Sequence, residues 1–158
     1  MECDTDRMLQ VLDNLLENAI KFSPPNGDVQ VAMHSLDRRP PEIAPARWGL
    51  VHARRPGASI MWITVADRGP GVPDEEKERV FERFYQTTSG RAVRRRGVGL
   101  GLTICREIVA AHKGAIWLSD NPGGGSVFNV LLPGAFRASP DVAMGPSSDS
   151  ERPSASPS

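Results

Sequence analysis

Long apolar runs are missing from this chain, and no stretch approaches the roughly 20 residues that a bilayer-spanning helix needs. The N-terminus has no basic start followed by an apolar stretch, so a secretory signal peptide is not expected. Cysteine is scarce: Cys3 and Cys105 lie far apart, with no histidines at metal-ligand spacing. That argues against a disulfide framework and a zinc site, and makes reduced thiols in a cytoplasmic setting the expectation. An excess of one charge is missing too. Nineteen basic residues balance nineteen acidic ones, so no global field draws the chain to nucleic acid or anionic lipid. The pattern G-x-x-x-x-G-K-[ST] occurs nowhere, which excludes a P-loop.

What is present suits one domain with one core: 158 residues, 39% of them hydrophobic. Asp4 can cap a helix from Thr5 to Phe22, which Ser23-Pro24-Pro25-Asn26-Gly27 stops. Val29, Val31 and Met33 alternate as one face of a strand. Residues 35–57 are rich in Pro and Arg and read as a long loop insert, with a short strand expected around Trp48 to His52. Ser59 to Ala66 is apolar on both faces, as a central strand would be. Pro73 to Tyr85 reads as a helix with acids in its first turn and Val80, Phe81 and Phe84 inward. A second long helix is expected from Leu100 to His112, then strands at Ala115–Ser119 and Ser126–Leu132 joined by a glycine turn. Residues 1–133 form the expected domain. Beyond Pro133 the composition falls to Ser, Pro, Ala, Gly and Asp, and a disordered tail over 134–158 is expected.

Within the first helix, Asn14, Asn18 and Lys21 share a stripe: at about 100° per residue, Asn18 lies near +40° and Lys21 near −20° from Asn14. Met8, Val11, Leu12, Leu15, Ala19 and Phe22 cluster to one side. Two amides and a lysine bordering a buried face suit a wet cleft for a metal ion and phosphates, although a surface stripe reads equally well. Three glycine motifs follow. The strand ending at Ala66 delivers Asp67, then Arg68-Gly69-Pro70-Gly71. A carboxylate there needs a donor, such as the exocyclic amine of a purine, though a capped turn also fits. Gly97-Val98-Gly99-Leu100-Gly101 opens a helix, where free amides and the macrodipole suit phosphate. It follows no strand in a βαβ unit, which disfavours a dinucleotide fold; a flexible linker is the alternative, against which Leu100, Leu102 and Ile104 argue. Gly123-Gly124-Gly125-Ser126 is, alone, a turn between strands.

Taken in order, these segments resemble the ATP-binding catalytic domain of two-component sensor histidine kinases. DTDRMLQVLDNLLENAIKFSP (4–24) looks like the N box, ADRGPGVP (66–73) like the first glycine box and VFERFYQ (80–86) like the F box. GVGLGLTICREIVAAHKG (97–114) is similar to the second glycine box, and GGGSVFNVLLP (123–133) to the closing glycine motif and last strand. The resemblance implies a Bergerat-type ATP-binding fold: an α/β two-layer sandwich, with a mixed sheet of about five strands covered on one face by three helices.

The resemblance also assigns roles. Asn18 would hold Mg²⁺ against the triphosphate, with Asn14 beside it where hydrolysing relatives carry a general-base glutamate. Lys21 would pair with phosphate and Phe22 would pack near adenine. Asp67 would accept from the adenine amino group, with Gly69 and Gly71 shaping the pocket. Gly97, Gly99 and Gly101, with Leu100 and Leu102, would line the phosphates and hinge a lid over 86–96. Arg83 and the lid arginines would stabilise charge on the γ-phosphate. Mg·ATP is thus the implied cofactor, and phosphoryl transfer asks mainly for positioning and charge neutralisation.

The implied partners are a helical dimerisation domain carrying the phospho-accepting histidine and a response regulator. No segment here resembles that domain, and His34, His52 and His112 read as structural. This domain would be cytoplasmic, whether or not the full-length kinase is anchored to a membrane. Two rivals stay open: an anti-sigma-type serine kinase or nucleotide-binding regulator, and a gyrase- or chaperone-type ATPase. Arg68 stands where the family often has asparagine.

Overall fold

The computed structural model describes residues 4–53, 59–87 and 99–134. The expected tail (apart from Gly134), most of the expected lid, Gly97 and Cys3 lie outside them. Helix α1 spans Thr5–Phe22, and Asp4 caps it by accepting from the Arg7 N–H at 3.2 Å. Strands β1 (Gln30–Leu36) and β2 (Ile60–Ala66) pair antiparallel, Met33 opposite Ile63. Helix α2 (Pro45–His52) lies between them in sequence. After two 3₁₀ turns comes helix α3, Gly101–Ala111, then β3 (Ala115–Asp120) and β4 (Ser126–Pro133).

Among the described residues the sheet has four strands in the order β1-β2-β4-β3, and every pairing is antiparallel. This corrects the expectation of a mixed sheet of five. The doubly apolar strand does lie centrally: β2 is flanked by β1 and β4.

Covering by three helices on one face is corrected as well. Side chains alternate across the sheet. Ile63, Val65, Phe128, Val130 and Leu118 pack with Met8, Val11 and Leu15 of α1 and with Cys105, Ile108 and Val109 of α3. The opposite face carries Ile60, Trp117 and Leu131, and these pack against Ile43 and Val51 of the 35–57 insert, with Trp48 half-buried beside them. The expected strand at Trp48–His52 is therefore helical. Pro45 at its first turn has the φ a helix start requires. Trp48 and Val51, three residues apart, then share the inward side. Ile43→Val is expected to cost about 0.5–1.5 kcal/mol in chemical denaturation. No change would mean that the insert is loosely attached.

The expected helix over 73–85 is two 3₁₀ turns, Asp74–Glu76 and Arg79–Phe81. Here tertiary partners take the backbone groups that a helix would use. The Phe81 carbonyl accepts from buried Thr103 Oγ1 at 3.0 Å, and the Phe84 N–H donates to the Gly99 carbonyl at 3.0 Å. Val80 and Phe81 do turn inward, but Phe84, at φ 62°, is 68% exposed.

Candidate nucleotide site

A cavity of about 360 Å³ opens between α1, the start of α3, the loop after β2 and the floor of the sheet. That is within the usual range of small-molecule sites. From α1 it is lined by Asn14, Glu17, Asn18, Lys21 and Phe22. The first long helix stands beside α3, so its amide stripe faces the glycines that open α3. The amide of Asn18 donates from Nδ2 to the Asn14 carbonyl at 2.9 Å. That bond fixes which end of the amide is which, and leaves Oδ1 as the acceptor available to a cation. Asn14 Oδ1 lies against Gly101, 3.4 Å from where a Cβ there would stand. Beneath it, Cys105 is buried with Sγ 3.7 Å from the Val11 carbonyl. Desolvation pushes its thiol up to about 11, a hydrogen bond with Asn14 opposing the shift, so it is an inert packing group.

The other wall is Asp67, 4% exposed at the end of β2. Its Oδ1 accepts the Gly69 N–H at 2.8 Å and the Ser126 N–H at 3.1 Å. Oδ2 is the oxygen left for an incoming donor. Gly71, at φ 75°, and Pro70 continue the wall. Gly69 is set back from it: its missing Cβ would stand 2.7 Å from the Phe22 carbonyl oxygen, so it lets the loop close on the end of α1. The Arg68 side chain turns away from the cavity wall and donates to the Pro122 carbonyl at 2.9 Å.

Gly99, Leu100, Gly101 and Leu102 line the cavity. Gly99 has φ 72° and backs onto Phe84, whose Cα would lie 3.0 Å from a Cβ. Both the dihedral and the contact demand glycine.

Arg83 is not part of the cavity wall. It pairs with Glu107 of α3 at 2.9 Å, and both side chains are more than half exposed. The histidines all have local partners. His34 contacts Trp62 and His52 stacks on Trp48, at 5.7 and 5.9 Å between ring centroids. His112 Nε2 accepts the Asp4 N–H, while its Nδ1 bonds the Ile108 carbonyl at 2.8 Å.

The sequence motifs assign no site role to several wall residues, Glu17, Val72, Tyr85, Ser126 and Phe128 among them. Glu17 is legible, three residues after Asn14 and four before Lys21 on the same helix. Ser126 and Phe128 reach the floor through the β2–β4 pairing, which no local pattern announces.

Comparison with known proteins shows the family of this chain. The profile of the histidine kinase-, DNA gyrase B-, and HSP90-like ATPase family matches residues 3–135. The sensor histidine kinase WalK of Bacillus subtilis is 36% identical over 133 residues, 84% of this chain and 19% of WalK. The signal transduction histidine-protein kinase/phosphatase MprB of Mycobacterium avium is 43% identical over 125 residues, 77% of this chain and 20% of that one. Adaptive-response sensory kinase SasA of Nostoc sp. is 35% identical over 131 residues, 82% and 27% respectively. The chain thus spans about a quarter or less of these relatives. Among solved structures, a mycobacterial sensor histidine kinase MprB superposes with TM-score 0.65 at 30% identity, covering 83% of this chain and 74% of that one. Full-length ShkA in complex with AMPPNP superposes with TM-score 0.58 at 31% identity, covering 80% and 21%.

Proposed function

Because the chain belongs to the histidine kinase-, DNA gyrase B- and HSP90-like ATPase family, as the catalytic domain of a sensor histidine kinase, we propose that it binds Mg·ATP in the α1–α3 cavity. It then delivers the γ-phosphate to a histidine on a helical dimerisation domain, for relay to a response regulator. One observation carries the reading: a single cavity is walled both by a carboxylate with one oxygen committed to backbone and by an asparagine whose amide nitrogen is already anchored. The first presents an acceptor to the amino group of adenine. The second presents an oxygen to Mg²⁺, which takes oxygen ligands and completes its octahedron with phosphates and water. Lys21 neutralises phosphate charge, and Phe22 offers its ring to the base. Gly99 and Gly101 let backbone amides at the start of α3 approach phosphate.

Asn14 supports transfer to a protein acceptor rather than to water. An amide cannot take a proton from an attacking water, and Asn14 is packed against Gly101. A role for Arg83 at the γ-phosphate requires it to exchange Glu107 for phosphate. The AMPPNP in the ShkA complex, an adenine nucleotide on a related fold, supports the choice of base.

The test has two steps. Calorimetry of the 158-residue protein with ATP should register binding that strengthens with Mg²⁺. With an added histidine-bearing helical domain, label from γ-labelled ATP should appear as acid-labile, base-stable phosphate. No heat from folded protein overturns the nucleotide site. Acid-stable phosphoserine would move the reading to an anti-sigma-type kinase, and rapid steady hydrolysis to a gyrase-type ATPase.

A further inference from the structure

Asp67 is held at nearly every polar atom. Its N–H donates to the Ser126 carbonyl at 2.8 Å, and Oδ1 takes two backbone N–H groups. Its own carbonyl oxygen accepts from Asn121 Nδ2 at 2.7 Å. Of these bonds only the last comes from a side chain, and it comes from the β3–β4 turn. That turn runs through three consecutive glycines with φ of 88°, 110° and 97°. Three glycines in a row are intrinsically loose, because each gives up a large backbone entropy when ordered. Something outside them must hold the turn against the site.

The residues just ahead of the glycines do so. Asp120 Oδ2 accepts from Lys77 Nζ at 2.8 Å, and this bond, with a second that Lys77 donates to Asp74, raises the lysine pKa. The Pro122 carbonyl accepts from Arg68. Between them Asn121 is half-buried and doubly tied within the turn: its N–H donates to the Gly125 carbonyl at 3.0 Å, and its carbonyl accepts from Gly124 at 2.9 Å. Asn121 therefore closes the glycine turn and reaches across it to the peptide that aims the Asp67 carboxylate.

We propose that Asn121 is a positioning residue for base recognition, acting through the main chain of Asp67 without touching the nucleotide. This rests on the adenine-nucleotide reading of the cavity. If Asn121 sets the peptide of Asp67, it sets where Oδ2 meets a donor on the purine ring. Its loss degrades recognition of the 6-amino group and leaves the phosphate and Mg²⁺ contacts of α1 and α3 untouched.

Calorimetric titration with ADP, and with the analogue lacking the 6-amino group (purine riboside diphosphate), separates these effects. Wild type should prefer ADP. In Asn121→Ala, and in the isosteric Asn121→Asp, which has no donor, ADP affinity should fall about 3- to 10-fold, the scale of one hydrogen bond. Affinity for the analogue should stay within twofold, so the preference collapses. In a phosphorylation assay KM for ATP should rise with kcat unchanged. Equal weakening of both ligands with a lowered Tm would reduce Asn121 to a structural role and overturn the proposal, as would an intact preference in both variants. If wild type binds neither ligand, the nucleotide reading itself fails. If it binds both equally, recognition of the amino group by Asp67 fails, and the role of Asn121 fails with it.

Discussion

Asn18→Ala is expected to lower phosphoryl transfer by about 100-fold or more, since even the outer-shell partners of metal ligands cost 10- to 100-fold when removed. The argument rests on how the side chain is held. Asn18 Nδ2 is engaged by the Asn14 carbonyl one turn earlier, so Oδ1 is pre-oriented and needs no reorganisation when the ion arrives. The alanine variant should still bind adenosine, because Asp67 and the floor of the cavity are untouched. It should also bind ATP equally well with Mg²⁺ and with EDTA, whereas wild type should gain from the metal. Folding stability should change little, as Asn18 is only part-buried. Calorimetry with and without Mg²⁺ reads all of this. A variant that retains the full Mg²⁺ gain would remove Asn18 from the metal site.

Gly125→Ala should damage both the fold and the site. The residue has φ 97°, and a Cβ there would overlap the Asp67 carbonyl oxygen while lying 2.7 Å from its carbon and 2.9 Å from Arg68 Cα. None of those atoms can step aside, because the Asp67 carbonyl is held by Asn121 and its N–H by Ser126. Backbone strain alone costs about 1–3 kcal/mol. Displacement of Asp67 should add a loss of adenine nucleotide binding of more than about tenfold, or 1.4 kcal/mol. Gly124→Ala is the control: its φ is 110°, but nothing lies within 4 Å of the added carbon. It should show the strain and keep the affinity. If both variants bind nucleotide equally, the close approach of Gly125 to Asp67 has no functional weight.

These two residues mark the limits of legibility. Asn18 stands out in the sequence because a helix converts a spacing of three and four into one stripe, and an amide stripe is unusual beside an apolar one. Gly125 does not stand out. Its neighbour in space is 58 positions away, and a run of glycines before a strand looks like any turn. Arg83 shows the reverse case. A resemblance gives it a place near the reacting phosphate, but the partner it meets is Glu107, which packing of the 3₁₀ segment on α3 brings within reach.

The insert shows how tertiary packing overrides a local pattern. Trp48 and Leu50 alternate like strand residues, but the back of the sheet offers Ile60, Trp117 and Leu131 as uncovered apolar surface, and a helix buries Val51 there. Leu50 remains 49% exposed as a result. The segment after Pro73 carries helical acids and spacing, but Thr103 and Gly99 take its backbone groups and leave only single turns.

The sequence by itself determined α1 from end to end, the central place of β2, the second long helix, the family, and the chemical types gathered at the site. Those follow from periodicity, capping and motif order, which act over a few residues along the chain. Only the tertiary structure decided that the four described strands pair antiparallel, that the insert covers the back of the sheet, and that the β3–β4 turn grips Asp67. The reason is physical. Such outcomes depend on which apolar faces and unpaired backbone groups meet across distant segments, and neighbouring residues carry no record of that meeting.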